Sequence, residues 1–134
     1  MDNKEHIMMD YVNTWGLYQC FQGTDDALID SDNREEFFKL QPNGKVFQCI
    51  AMDERMLTLK YGERLFRVNP KLYRMVKKPL YEVGDKVEII EKTLFGEIVD
   101  VNWHIKENVP FYYVEIEGKK AGKRFKDCDL RKVN

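Results

Sequence analysis

Ile98-Val99-Asp100-Val101-Asn102-Trp103-His104-Ile105 is the stretch on which the fold turns. Val99, Val101, Trp103 and Ile105 are apolar, while the intervening Asp100, Asn102 and His104 are polar. Side chains of a strand point alternately to its two faces, so this period of two predicts a half-buried strand. Trp103 then faces inward, and Asn102 and His104 face out.

The flanks extend the pattern. Upstream, Tyr81-Glu82-Val83-Gly84-Asp85-Lys86-Val87-Glu88-Ile89-Ile90 brings the chain through a glycine turn into a strand with Val87 and Ile89 on one face. Gly96 punctuates the run. Downstream, Lys106 to Pro110 reads as a connection and Phe111 to Glu117 as a strand rich in aromatic and β-branched residues, with Val114 and Ile116 inward. Gly118 to Gly122 reads as a turn, Lys123 to Lys126 as a short strand and Asp127 to Leu130 as one closing helical turn. Four or five short strands in about fifty residues cannot bury two faces as a flat sheet, so the sheet is expected to curl on itself.

Val83-Gly84-Asp85-Lys86-Val87, Phe95-Gly96-Glu97-Ile98 and the closing Asp129-Leu130 resemble the small SH3-like barrels of the Tudor and KOW kind. The resemblance covers the C-terminal two-fifths and implies a fold, because that superfold hosts many unrelated binding roles. The whole chain also resembles uncharacterised small bacterial proteins that join such a barrel to an N-terminal β-rich half.

Lys77-Lys78-Pro79 marks the division, giving an N-terminal module at 1–78 and a barrel at 79–134. In the first module, residues 1–10 are expected to be loosely held and Tyr11 to Phe21 to contain a strand. Gly16 there marks a bulge or a close backbone approach. Gly23-Thr24-Asp25-Asp26 is a turn, followed by a short helix near 33–40 with Asp32 as N-cap, Glu35 completing a capping box and Phe37, Phe38 and Leu40 as its apolar stripe. Pro42-Asn43-Gly44 stops it. Lys45 to Ala51, Met56 to Tyr61 and Arg64 to Val68 read as three strands joined by hairpins, with a turn at Asn69 to Tyr73.

The order of features repeats. Leu57 to Lys60, a glycine turn, Arg64-Leu65-Phe66-Arg67 and Leu72 echo Val114 to Glu117, a glycine turn, Lys123-Arg124-Phe125-Lys126 and Leu130. Two barrel-like units in tandem would explain this echo. A three-stranded sheet carrying the helix is the competing picture, and both describe a mainly β protein.

The 134 residues are 43% hydrophobic and 13% aromatic, which suits a folded globule. The formal charge of −1 excludes a globally basic nucleic-acid binder. It is unevenly spread: net −6 over residues 1–40, net +6 over 41–79 and net −1 over 80–134. The acidic first third packing beside the basic middle third is the plain account. Membrane-span and secretion signals are not expected, since no run reaches ~18 apolar residues and Met1 to His6 lacks a basic region followed by an apolar one. Three widely spaced cysteines, Cys20, Cys49 and Cys128, point to a reducing cytoplasm rather than a disulfide framework.

Chemistry is thinly supplied. His6 and His104 are the two histidines, and Cys128 sits between two carboxylates that disfavour its thiolate. Asp25-Asp26 and Asp30-Ser31-Asp32 lack the glycine and terminal glutamate of a calcium loop, and no phosphate-binding glycine loop or zinc-spaced cysteine pair occurs. No cofactor or metal is expected, and an enzyme is the third-ranked reading. The first is a non-catalytic adaptor binding a protein partner through Asn102, His104, Phe111 and Tyr113, with Lys106 beside them, unless the N-terminal half covers those rings. The second is nucleic-acid contact through Arg64, Arg67, Lys71, Arg74, Lys77 and Lys78, with Tyr61, Phe66 and Tyr73 interleaved to stack bases.

Overall fold

The computed structural model describes residues 9–133, so His6 and most of the loosely held segment expected at residues 1–10 lie outside the described residues. The chain is mainly β, as expected. Strands β1 (Thr14–Tyr18), β2 (Phe47–Met52), β3 (Leu57–Tyr61), β4 (Arg64–Val68) and β5 (Tyr73–Val76) form an antiparallel sheet in the order β4-β3-β2-β1-β5. Strands β6 (Lys86–Ile89), β7 (Leu94–His104), β8 (Val109–Ile116), β9 (Lys119–Lys120) and β10 (Leu130–Lys132) form a second, ordered β10-β6-β7-β8-β9. Helix α1 (Arg34–Lys39) lies between β1 and β2.

The two orders are the same topology. Each sheet reaches its fifth strand through one 3₁₀ turn, Pro70–Leu72 and Asp127–Asp129. Each also has a bulge where the second strand meets the third, between Cys49 and Ala51 and between Ile98 and Asp100. Counted from the bulges, Leu57↔Val68 corresponds to Tyr112↔Phe125, and Tyr73↔Tyr18 to Leu130↔Ile89. The echo in the sequence is therefore structural, but Phe125 matches Val68 rather than Phe66 and Leu130 matches Tyr73 rather than Leu72. The first offset is two residues, which keeps a period-two pattern and cannot be detected from it; the second is one residue and falls where each 3₁₀ turn enters its fifth strand.

Several expectations need correction. The alternation around Trp103 holds from Asp100 to His104, but the bulge inserts a residue, so Ile98 is buried and Val99 only half-buried. Ile105 leaves the strand for an exposed turn. Lys123 to Lys126 contributes one bridge, Tyr112↔Phe125, and the strand pairing falls at Lys119–Lys120 instead. Glu117 and Gly118 both have positive φ, which turns the chain at once. The C-terminal sheet is thus not closed by a continuous ladder. Helix α1 is capped by Asn33, without a side-chain cap bond, because Asn33 Oδ1 accepts the Arg67 amide at 2.8 Å. Strand β5 begins at Tyr73, the last residue of the expected turn, and runs on through Val76 as a strand not anticipated from the sequence; its pairing with β1 is long-range.

Two apolar clusters fill the molecule. One holds Leu17 and Val46 with Val87, Ile98, Val101, Trp103, Tyr112 and Phe125. The other holds Tyr18 and Phe47 with Phe37, Leu59, Phe66 and Tyr73. Leu17 and Tyr18 are neighbours, as are Val46 and Phe47, so the alternation of a strand aims one residue of each pair at each cluster. The ladders divide between Val76 and Lys86, yet the second cluster of strands closes its core with side chains from the first.

The backbone joins the sheets as well. The Val46 amide donates to the Val101 carbonyl at 3.0 Å and the Trp103 amide to the Gly44 carbonyl at 2.8 Å. β6 pairs with β7 only over Leu94 to Glu97, and Gly44 to Val46 takes the same edge of β7 further along before continuing into β2.

Gly16 makes the close approach anticipated for it: a Cβ there would lie 2.5 Å from the Tyr73 ring and 2.7 Å from the Arg74 carbonyl. Gly16→Ala is expected to cost about 1–3 kcal/mol by overpacking, read from urea unfolding. Leu17→Ala should cost about 2–5 kcal/mol. Single-tryptophan variants keeping Trp15 or Trp103 should report the same midpoint; two separated transitions would show that the halves unfold independently.

Candidate interaction surface

Residues opposite one another in an antiparallel pair share a face. The register Asp100↔Tyr113, Asn102↔Phe111 and His104↔Val109 therefore gathers six outward side chains on the β7–β8 hairpin. Three of them form a ring ladder. His104 and Phe111 lie with centroids 6.4 Å apart, and Phe111 and Tyr113 6.0 Å apart, both edge-to-face. All three are half-buried. Their solvent side is screened by cations of the same half: the Arg124 guanidinium lies 4.8 Å from the Phe111 centroid and Lys120 Nζ 4.4 Å from that of Tyr113.

The inner side of the hairpin is locked. Trp103 Nε1 donates to Asn108 Oδ1 at 3.2 Å, Pro110 is buried opposite Trp103, and Asn108 adopts φ 59° to close the turn. His104 Nδ1 accepts the Glu107 amide at 3.0 Å, which fixes the imidazole on the face. Lys106 is exposed on the same turn, past the end of the ring ladder.

The first sheet shows what is added here. Its corresponding hairpin ends at Met52↔Leu57, the second pair past its bulge, whereas β7–β8 continues for three more pairs, Asn102↔Phe111, Trp103↔Pro110 and His104↔Val109. Two rings of the ladder, His104 and Phe111, sit on this extension.

Asp100 anchors the other end. Its carboxylate accepts from Lys45 Nζ at 3.1 Å, Lys120 Nζ at 2.9 Å and the Tyr61 hydroxyl at 3.0 Å. The Tyr61 hydroxyl in turn accepts the Val101 amide at 2.9 Å. Burial alone would raise the Asp100 carboxyl, but the hydrogen bonds from Lys120 and Lys45 outweigh it and hold it below the ordinary carboxylate range. Burial, and then the Asp100 charge, push the Tyr61 phenol far upward, so it stays a donor. Through Lys45 and Tyr61 the N-terminal half reaches this end of the face, while the rings beyond are screened by Arg124 and Lys120 from their own half.

Beside the ladder is a hollow of about 270 Å³ lined by His104, Phe111, Lys123, Arg124 and Lys126, among others. Glu107, also at its rim, is paired with Lys126 at 3.2 Å, whose hydrogen bond and charge hold its carboxyl low. Lys120, Lys123 and Arg124 were not anticipated at this face. Only the register across β8 brings them there, and the sequence carries no local sign of it.

The basic run disperses. Arg64 and Arg67 lie on β4 and Arg74 on β5, at opposite ends of the strand order, with Lys71 in the 3₁₀ turn between and Lys77 and Lys78 after β5. All six are exposed, but the rings meant to stack bases are not: Tyr61, Phe66 and Tyr73 are only 7%, 2% and 7% exposed. Period two places them inward because the cations face out. Only Arg67 of the run is ion-paired among the described residues, to Asp30 and Asp53, so the acidic first third meets it at one point.

Cys20 and Cys49 are buried in the first sheet's cluster, and burial pushes the Cys20 thiol up to about 11. Cys128 is exposed. Asp25 accepts the Phe21 amide, Asp26 the Gly23 amide and Asp30 the Asp32 amide, so these carboxylates cap turns. No helix among the described residues is long and apolar enough to cross a membrane.

Fold and surface together define a mainly β protein of two topologically matched sheets, one bearing an extended, ring-lined hairpin. The chain belongs to DUF6960, a family of unknown function, which it matches over residues 8–131. No curated protein matches it.

Asp100→Ala is expected to cost about 1–3 kcal/mol by stranding the Tyr61 hydroxyl, measured by urea unfolding at neutral pH. Because the folded pKa of Asp100 is lowered, its contribution is complete above the unfolded carboxylate range and is lost as pH falls through the folded value. The stability gap between wild type and Asp100→Ala should therefore shrink on acidification, and a gap constant with pH would contradict the assignment.

Proposed function

We propose that the chain is a non-catalytic, cytoplasmic interaction module that captures a protein partner on the outward face of β7–β8. The observation that carries this reading is the His104–Phe111–Tyr113 ladder, half-exposed on a hairpin whose inner side is locked by Trp103 and Pro110. Rigid rings contribute contact area at small entropic cost, and a face already fixed before binding keeps that cost low. The matched strand orders support reading both sheets as SH3-like units in tandem, a scaffold on which such surfaces are common. The three free thiols, two of them buried, suit a reducing compartment.

Nucleic-acid contact is the second reading. It rests on the exposed Arg64, Lys71, Arg74, Lys77 and Lys78, which lack carboxylate partners among the described residues and could meet phosphates without base stacking.

Replacing His104 and Tyr113 together by alanine removes two outward rings and no core contact, so the melting temperature should stay within a few degrees of wild type. Proteins retained by the wild type from a nuclease-treated lysate should be lost by the double variant. Undiminished retention would remove this face from consideration, and retention that disappears with nuclease would favour the second reading.

A further inference from the structure

The ring ladder and the cations on it form a pattern with a definite complement. Arg124 and Lys120 are held over Phe111 and Tyr113, which are successive outward residues of one strand with ring centroids 6.0 Å apart. Alternate residues of an extended chain are spaced by about 6.6 Å, so a segment laid along β8 presents every second side chain in step with these rings. Glu115, the next outward residue of β8 after Tyr113, is acidic, so the excess of cations is confined to the end of the face around the hollow. Asp100 is already engaged by Lys45, Lys120 and Tyr61, and Glu107 by Lys126. Asp129, which also lines the hollow, accepts the Lys126 amide at 2.8 Å. Lys106, Lys123 and Arg124 have no carboxylate within ion-pair distance among the described residues.

From this we infer that the hollow beside Phe111 takes a carboxylate from an extended acidic segment of the partner protein, with Arg124 as its principal contact and Lys123 as its neighbour. The inference rests on the protein-binding reading above and names the chemistry of that partner. With its guanidinium carbon 4.8 Å from the Phe111 centroid, Arg124 has its rotamers restricted by the ring beforehand, so a bidentate bond to a carboxylate forms with less further ordering. Lys123 Nζ, 5.6 Å from the Phe125 ring centroid, adds charge at the same rim. His104, whose Nδ1 accepts the Glu107 amide, keeps its other ring N–H as a donor. Val109, Pro110 and Phe111 in the hollow's lining suit one apolar side chain between the acidic ones.

The test is fluorescence anisotropy of the full chain with a labelled eight-residue peptide of alternating aspartate or glutamate and small polar residues around one central phenylalanine. The same peptide with lysine for each acid is the control, and a single-stranded oligoribonucleotide is the competitor class. Saturable binding of the acidic peptide is expected, weakened at least about tenfold by Arg124→Glu and by Phe111→Ala, as for a central arginine or aromatic contact. It should weaken as salt rises and be unchanged in Arg74→Glu/Lys77→Glu, which alters cations elsewhere. Circular dichroism and thermal melts separate lost binding from lost folding, and Arg124→Lys should give an intermediate loss because the charge remains without the fork. Binding indifferent to Arg124→Glu, tighter binding of the lysine peptide or the oligoribonucleotide at this face, or a concentration-dependent dimer abolished by Arg124→Glu would each overturn the inference. Failure of the acidic peptide while His104→Ala/Tyr113→Ala still loses a lysate partner would sink the acidic chemistry alone; no loss in either would sink the protein-binding reading too.

Discussion

Two backbone hydrogen bonds, Val46 to Val101 and Trp103 to Gly44, hold the architecture together. They occupy the edge of β7 past the point where β6 leaves it, an edge that would otherwise present unpaired polar groups. The price of that cover is that one stretch of chain must serve two sheets, and its alternation then sets which side chains each core receives. Val46 faces the second sheet's cluster and Phe47 the first's. Tyr61 and Lys45 follow the same seam to Asp100, so a polar contact lies directly over the backbone junction.

The core tyrosines show how so aromatic an interior engages its hydroxyls. Tyr18 donates to the Asn69 carbonyl at 2.6 Å, Tyr81 to the Leu130 carbonyl at 3.0 Å and Tyr112 to Asp127 at 2.7 Å, while Tyr73 and Thr14 share a bond of 2.8 Å. Each bond fastens a core ring to a turn or a neighbouring strand. Tyr18 and Tyr112 act on the two 3₁₀ regions, the turns that deliver each sheet's fifth strand. The rings supply apolar burial, and their hydroxyls set where the chain turns.

What could be read from the residues follows from how local each signal is. The strand around Trp103, the glycine turn before Lys86, the closing 3₁₀ turn and the short helix all announce themselves within a few residues, and all are present. The outward grouping of Asn102, His104, Phe111 and Tyr113 was also legible, because alternation and one hairpin suffice to place them. The bulge at Ile98–Asp100 was not, since one extra residue leaves no mark except an apolar residue on the wrong parity. Strand β5 and the cations over the rings depend on pairings between distant segments, which local pattern does not encode. The basic run misled for a related reason: interleaved rings and cations are what a strand with one buried face produces, and the rings belong to the core.

The shared stretch at Gly44–Val46 also bears on how the molecule comes into being. As the chain emerges from its N-terminus, the first sheet can assemble while Leu17 and Val46 still lack their apolar cover, which arrives only with Val101, Trp103 and Tyr112. Contacts spanning more than fifty residues are slow to close, and an apolar flank is exposed in the interval. A first sheet formed ahead of the second would therefore carry an uncovered apolar flank until the β7–β8 segment arrives to bury it.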